Sequence, residues 1–169
     1  GLANVDVLCG ITPHRTIEHV LDGRASLQEI MVPGPGGFML VPGASGVTGL
    51  ADLDPAQRRR LLGELTRLER ESDVILVDTG AGIGSSVVGF ALAAERVVVV
   101  CTPEPTSITD AYGMIKSLHA ASDATSIQLV INMAENEQEG LHVHGRIQQA
   151  CRTFLGVSVE LAAIIPWDP

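Results

Sequence analysis

The sequence predicts an open α/β fold built on a doubly wound, mostly parallel sheet, and three observations predict it. Runs such as 74–77 and 97–101 are continuously apolar with no polar alternation, the pattern of strands covered on both faces. Segments with helical spacing lie between such runs, and strands alternating with helices imply right-handed βαβ crossovers. The 169 residues are 46% hydrophobic but only 3% aromatic, so Val, Ile, Leu and Ala have to build the core.

Residues 1–10 read as a loop leading into a short helical turn through Val5, Val7 and Leu8. A short helix over 16–22 follows, which Gly23 can terminate at the C′ position. Ser26-Leu27-Gln28-Glu29 fits a capping box opening another short helix to about Met31. Residues 33–37 form a turn, and 38–42 a strand ended by Pro42. A loop of small residues then runs from Gly43 to Gly49.

Asp54-Pro55-Ala56-Gln57 supplies an N-cap, a proline at N1 and a glutamine at N3, the strongest helix start in the chain. Leu61, Leu62, Leu65 and Leu68 carry that helix to about Glu71. A strand over 74–78 and a helix over 85–94 come next, then a strand over 96–101 expected to be buried on both faces. Ser107-Ile108-Thr109-Asp110 can cap the following helix, with Ala111, Ile115 and Leu118 facing inward. A strand over 127–131 ends at Asn132. A helix over 139–155 places Leu141, Ile147, Cys151 and Phe154 on one face and stops at Gly156. The last strand, 161–165, is closed by Pro166. No repeat, low-complexity tract or linker divides residues 1–169, which read as one domain.

A formal charge of −9 argues against non-specific nucleic-acid binding and against a polybasic membrane patch, and no direct nucleic-acid contact is expected. No apolar run approaches the roughly 20 residues of a membrane span, and the first residues show no signal-peptide pattern. Cys9, Cys101 and Cys151 lie far apart without a CxxC pair and read as reduced thiols of a cytoplasmic protein. His142 and His144 are two residues apart on a helix and point to different faces. With His119 elsewhere, they read as solvated rather than metal-binding. Arg58, Arg59 and Arg60 read as a solvated face balanced by Glu64, Glu69 and Glu71.

The most informative stretch is 74–83, Val-Ile-Leu-Val-Asp-Thr-Gly-Ala-Gly-Ile. An acidic residue at the carboxyl end of a buried parallel strand sits where open α/β sheets place ligands. The glycines beyond it let backbone N–H groups approach an anion with no Cβ in the way. Asp78 is thus a candidate for holding Mg²⁺ through water, beside a loop that senses a terminal phosphate. The bland alternative is a strand that ends in an Asx-turn.

Four segments, in this order, resemble the MinD/ParA family of deviant Walker ATPases over essentially the whole length. They are Gly1-Leu2-Ala3-Asn4-Val5-Asp6-Val7-Leu8, Asp78-Thr79-Gly80-Ala81-Gly82-Ile83, Thr102-Pro103-Glu104-Pro105-Thr106-Ser107-Ile108-Thr109-Asp110-Ala111-Tyr112, and Ile164-Ile165-Pro166. The third is most similar to the branch that controls flagellar number and placement, the FlhG or FleN type.

The resemblance implies a P-loop NTPase-like fold of the SIMIBI type, truncated at its N-terminal strands, so that 1–169 is one partial nucleotide-binding domain. It implies ATP and Mg²⁺ as cofactors and Asp78 as the catalytic and metal-holding carboxylate. Gly82 matches the glycine that approaches the γ-phosphate, and Asn4 lies at the end of switch I. Asn132 matches an asparagine that pairs with adenine, while Pro166 and Asp168 match a loop lining the adenine pocket. Each has a plain structural alternative: a turn glycine at Gly82, a strand cap at Asn132, a local backbone cap at Asn4. Segment 106–112 reads as an ordinary helix start that doubles as a partner or dimer surface.

The family's phosphate-cradling loop and its lysines are not in these residues, where the only lysine is Lys116. The chain begins without Met, stops directly after an apolar strand, and is expected to be cut at both ends. The gap left in the sheet is expected to expose the edges of 74–77. The function expected of the intact protein is a MgATP-dependent homodimerising switch, cytoplasmic, with peripheral inner-membrane contact through segments outside these residues. By resemblance its partner is a flagellar GTPase or a transcription regulator. The alternative is a non-catalytic, partner-binding module of the same fold. An iron–sulfur carrier is disfavoured by the absence of paired cysteines.

Overall fold

The computed structural model describes residues 5–43, 53–122 and 126–168. The chain divides into two compact units, 1–81 and 82–169.

In the first unit α1 (Val5–Leu8) is a single turn, followed by α2 (Ile17–Leu21) and α3 (Leu27–Ile30). Gly23, at φ 74°, follows the α2 C-cap as its position predicts. Ser26 and Glu29 complete the expected capping box, and the Ser26 contacts hold the Glu29 carboxyl below its usual range. β1 (Val32–Pro33) and β2 (Met39–Leu40) pair as an antiparallel hairpin. α4 (Pro55–Glu69) starts as the sequence dictates, with Asp54 Oδ1 accepting from the N–H groups of Ala56 and Gln57 at 2.7 and 2.8 Å.

Val20, Leu27, Ile30 and Leu68 form the core of this unit, with Leu65 packed at its margin. Leu62 stays outside it and is exposed. The arginine cluster is not simply a solvated face. Arg60 Nη1 donates to Leu21 O at 2.5 Å, and one turn along α4 Glu64 Oε2 accepts from Leu27 N at 2.8 Å. α4 therefore offers a cation to the C-terminus of α2 and a carboxylate to the N-terminus of α3, each matched to a helix dipole.

The strand expected over 74–78 does not form. Those residues have no regular secondary structure, pair with no other described segment, and are exposed, Leu76 by 90%. A strand has to place its N–H and C=O groups on a neighbouring edge, and no described segment offers one. The expected exposure of 74–77 is observed, as a whole segment rather than a bare edge.

The second unit holds α5 (Ser85–Ala93), β3 (Arg96–Cys101), α6 (Pro105–Ala121), β4 (Ser126–Ala134), α7 (Glu137–Leu155) and β5 (Glu160–Pro166). The strands form a parallel sheet in the order β3-β4-β5, linked by α6 and α7 as two βαβ crossovers. Both helices pack against the sheet, and Val99, Cys101, Leu129, Ile131, Ile115, Ile147 and Cys151 form the core between the layers.

β3 is not buried on both faces. Val99 and Cys101 face the helices, while Val98 and Val100 are exposed, Val100 by 58%, so a run that reads as continuous is used in alternation. The stripe of α7 also differs from expectation. Gly140, Val143, Ile147 and Cys151 are buried, whereas Leu141 and Phe154 are exposed. α7 ends at Gly156, in the left-handed conformation at φ 74°.

α6 begins earlier than the Ser107–Asp110 pattern suggests. Glu104 is the N-cap and Pro105 opens the helix, while Ser107 Oγ accepts from Thr102 N at 2.9 Å. Proline's fixed φ is pre-set for that first position.

Candidate functional site

Open α/β sheets bind ligands beyond the carboxyl ends of their strands, and the ends of β3, β4 and β5 meet there. β3 runs out at Cys101 into Thr102-Pro103-Glu104, whose backbone is fixed by Ser107. β5 runs out through Pro166, and Trp167 N prolongs the pairing by donating to Ala134 O at 2.8 Å.

Between them β4 breaks its register. Ile131 pairs with Ile164 and Ala134 with Pro166, so Asn132 and Met133 together oppose the single residue Ile165. That is a β-bulge, and Met133 sits in it at φ 58°. A positive φ on a side chain of this size is uncommon and costs about 1–2 kcal/mol. Among the described residues Met133 alone, apart from glycines, has a positive φ.

These ends enclose a hollow of about 370 Å³ lined by Thr102, Pro103, Glu104, Met133, Glu135, Glu139 and Trp167. Trp167 is 58% exposed, its backbone anchored and its ring free to meet a ligand. Glu139 Oε2 accepts from Glu135 N at 2.7 Å, and Asn136 caps α7 by accepting from Glu139 N at 2.9 Å. Glu104 occupies the N-cap of α6 without bonding to the helix, so its carboxylate is uncommitted there. Three carboxylates beside an indole and a thioether make a site for an apolar ring that carries hydrogen-bond donors. They oppose a phosphate, because like charges this close repel.

Asn132 lies in the bulge next to Met133, and Pro166 and Asp168 flank Trp167, but none of the three is among the residues lining the hollow. Gly82 has φ 101°, and no atom lies within 4 Å of where a Cβ would stand, so its backbone is open to an approaching group. Asp78 is exposed, and among the described residues no hydrogen bond or ion pair engages its carboxylate. Asn4 falls outside the described residues.

Met133, Glu135 and Glu139 escape a reading of the sequence, whereas Glu104 and Trp167 fall within the segments 102–112 and 166–168 that the resemblance singles out. Alternation of side chains fails across a bulge, and nothing in Asn132-Met133 announces one. Pro166, the last residue of β5, is the one local signal that the strand stops beside Trp167.

The three cysteines are free, and burial pushes the Cys101 thiol up to about 11 and raises that of Cys151. Neither is a nucleophile at neutral pH. His144 Nε2 lies 3.0 Å from Val159 O and holds the start of β5, while His142 is exposed. No cluster of His, Cys, Asp and Glu suited to a metal occurs among the described residues, and no helix there is long and apolar enough to cross a membrane.

No protein-family model matches the chain. It is 43% identical over 168 residues to the antiactivator FleN of Pseudomonas aeruginosa, covering 99% of this chain and 60% of that protein. The chain is thus homologous in sequence to flagellar number regulators of the FleN type. The flagellum site-determining protein YlxH of Helicobacter pylori is 37% identical over 161 residues, or 95% of this chain and 54% of that protein. The MinC:MinD cell division protein complex of Aquifex aeolicus superposes with a TM-score of 0.72 at 23% identity, covering 100% of this chain and 66% of the other. That likeness establishes the fold, the P-loop NTPase-like α/β architecture. The homologue spans about 54–60% of the two curated relatives.

Proposed function

We propose that this chain is the greater part of a MgATP-dependent, homodimerising ATPase switch that sets flagellar number or placement. The observation that carries it is the 43% identity to an antiactivator FleN across 99% of the chain. The identity to a flagellum site-determining protein points the same way.

In this reading Asp78 holds Mg²⁺ through water. The residues fit that role, since an exposed carboxylate that no other described residue engages can accept from a hydrated cation at no cost in broken bonds among them. Bound with ATP, Mg²⁺ supplies neutralisation of the phosphate charge. Gly82, open on its Cβ side, brings its N–H toward the terminal phosphate. Asn4, near switch I, belongs to the same phosphate end. Asn132, Pro166 and Asp168 frame the base end, and the glutamates of the hollow keep the phosphates away from it.

Catalysis in such a switch is positioning plus electrostatics. The nucleotide-bound surface, including segment 106–112, recruits a protein partner such as a flagellar GTPase or a transcription regulator. The protein acts in the cytoplasm with peripheral membrane contact.

The test is Asp78→Ala in the intact protein, with mass followed by light scattering at saturating MgATP. The expected outcome is loss of ATP-dependent dimers. Dimers persisting at the same nucleotide concentration remove Asp78 from the role. An intact wild type that neither dimerises nor hydrolyses ATP favours the non-catalytic module instead.

A further inference from the structure

The sequence sets Glu64, Glu69 and Glu71 beside the arginines of α4, and the fold breaks that balance. Glu64 turns inward, where its Oε2 accepts from Leu27 N at 2.8 Å and its Oε1 stands 3.5 Å from Arg67 Nη1. Glu71, just past the helix, accepts from the side-chain amide of Gln28 on α3. Glu69 is exposed and engaged by no described residue, so it alone of the three stays available as a counter-charge.

Leu61 and Leu68 mark the buried side of α4. At about 3.6 residues per turn, Arg59, Thr66 and Arg70 fall on the opposite side, and all three are exposed. Among the described residues no hydrogen bond or ion pair engages the side chain of Arg59 or Arg70. Thr66 Oγ1 donates to Leu62 O at 2.9 Å, which leaves its methyl rather than its proton to a neighbour. Leu62, one turn before it, is 46% exposed. The outer face of α4 is thus an apolar centre between two arginines about 16 Å apart.

We propose that this face docks an acidic amphipathic helix of a protein partner, Leu62 meeting its apolar residues and Arg59 and Arg70 meeting carboxylates about three turns apart. Charge complementarity names the occupant, because the planar fork of arginine fits a carboxylate bidentately. The chain as a whole carries −9 and repels an extended polyanion such as duplex DNA or an anionic bilayer, so the attraction is confined to this row. None of these residues is assigned to phosphate or base, and the test runs without nucleotide, apart from the dimerisation assay.

The probe is a fluorescein-labelled peptide of about 20 residues, with Glu and Leu on adjoining helical faces and Ala elsewhere. Titrated into the 169-residue chain and followed by anisotropy, it should bind saturably. Arg59→Glu combined with Arg70→Glu should weaken binding at least about tenfold and flatten its salt dependence. The melting temperature should hold, since neither side chain has a described partner to lose. Leu62→Ala should weaken binding about threefold and keep the salt dependence. Glu69→Gln should strengthen it by up to about threefold, because it lifts a repelling charge. Silence toward the peptide, equal binding of a counterpart with Gln at every Glu, or affinity untouched by the arginine pair or by Leu62→Ala each overturns the proposal. Tighter binding of a short DNA duplex or of phosphatidylglycerol vesicles, lost with the same arginines, would make the row a phosphate surface and overturn it too. So would peptide-free dimers that the arginine pair dissolves, which would assign the row to a second copy of the chain.

Discussion

Residues 74–77 read Val-Ile-Leu-Val and residues 97–100 read Val-Val-Val-Val, and by composition the two runs are interchangeable strands. The second is β3, paired in register with β4 from Arg96 to Cys101 and burying Val99 and Cys101 under the helices. The first pairs with nothing described and leaves Val74 and Leu76 in solvent. β-propensity measures how well a side chain fits a pleated, half-buried surface, and that surface has to be supplied by a neighbour. For β3 the neighbour arrives through a short crossover, α6. For 74–77 no neighbour lies within the described residues. The difference between the runs is one of available edges, not of residues.

The largest effect should come from the paired side of that comparison. Leu129 lies in β4, fully buried in the layer beneath α6 and α7. Leu129→Ala removes its contacts and leaves a cavity, with an expected loss of about 3 kcal/mol. Urea unfolding followed by far-UV circular dichroism measures it. A loss under about 1 kcal/mol would mean that the layer can collapse around the gap, and the contrast with 74–77 would then be one of degree.

A smaller effect tests how closely α7 lies on the sheet. A Cβ built on Gly140 would stand 2.6 Å from Ile164 Cγ2 and 2.8 Å from its Cγ1, atoms too near the β5 backbone to swing clear. Gly140→Val should cost about 2 kcal/mol by overpacking. Pairing it with Ile164→Ala should recover part of that cost, a coupling that two independent sites would not show. A Gly140→Val chain that melts with the wild type would show that α7 shifts freely on β5, and the hollow beside Glu139 would lose its rigid wall.

These cases also show what could be read from the sequence. The start of α4 was legible because Asp54, Pro55 and Gln57 act on backbone groups within one turn. So was the end of α7, where Gly156 takes a left-handed angle that few other residues accept. The parallel pairing of β3, β4 and β5 followed from the alternation of strands and helices, though their order did not. The phase of α7 was read only in part: Ile147 and Cys151 are buried as expected, but the first buried position of the stripe is a glycine. Gly140 carries no hydrophobic signal, and Leu141 beside it carries a misleading one. At the candidate site the loops 102–104 and 166–168 could be found, but the bulge at Asn132-Met133 could not, since it depends on pairing with β5. The ends of the strands were legible, while the side chains that line the hollow between them were set by tertiary register.

The smallest expected effect decides whether the comparison of the two runs is sound. Leu76 is 90% exposed, so Leu76→Ala removes almost no buried surface and should change stability by less than about 0.5 kcal/mol in the 169-residue chain. The same substitution in the intact protein has a different expectation. There, the run has the composition of a central strand, and if a neighbouring edge covers it the cost rises to about 2–3 kcal/mol. Measuring both by urea unfolding isolates the contribution of the missing edge, because the substituted atoms are identical. A cost above about 1 kcal/mol in the short chain would show that 74–77 already finds a partner in solution. Equal, negligible costs in both would show that this run is no strand in either and would remove the frame that holds Asp78.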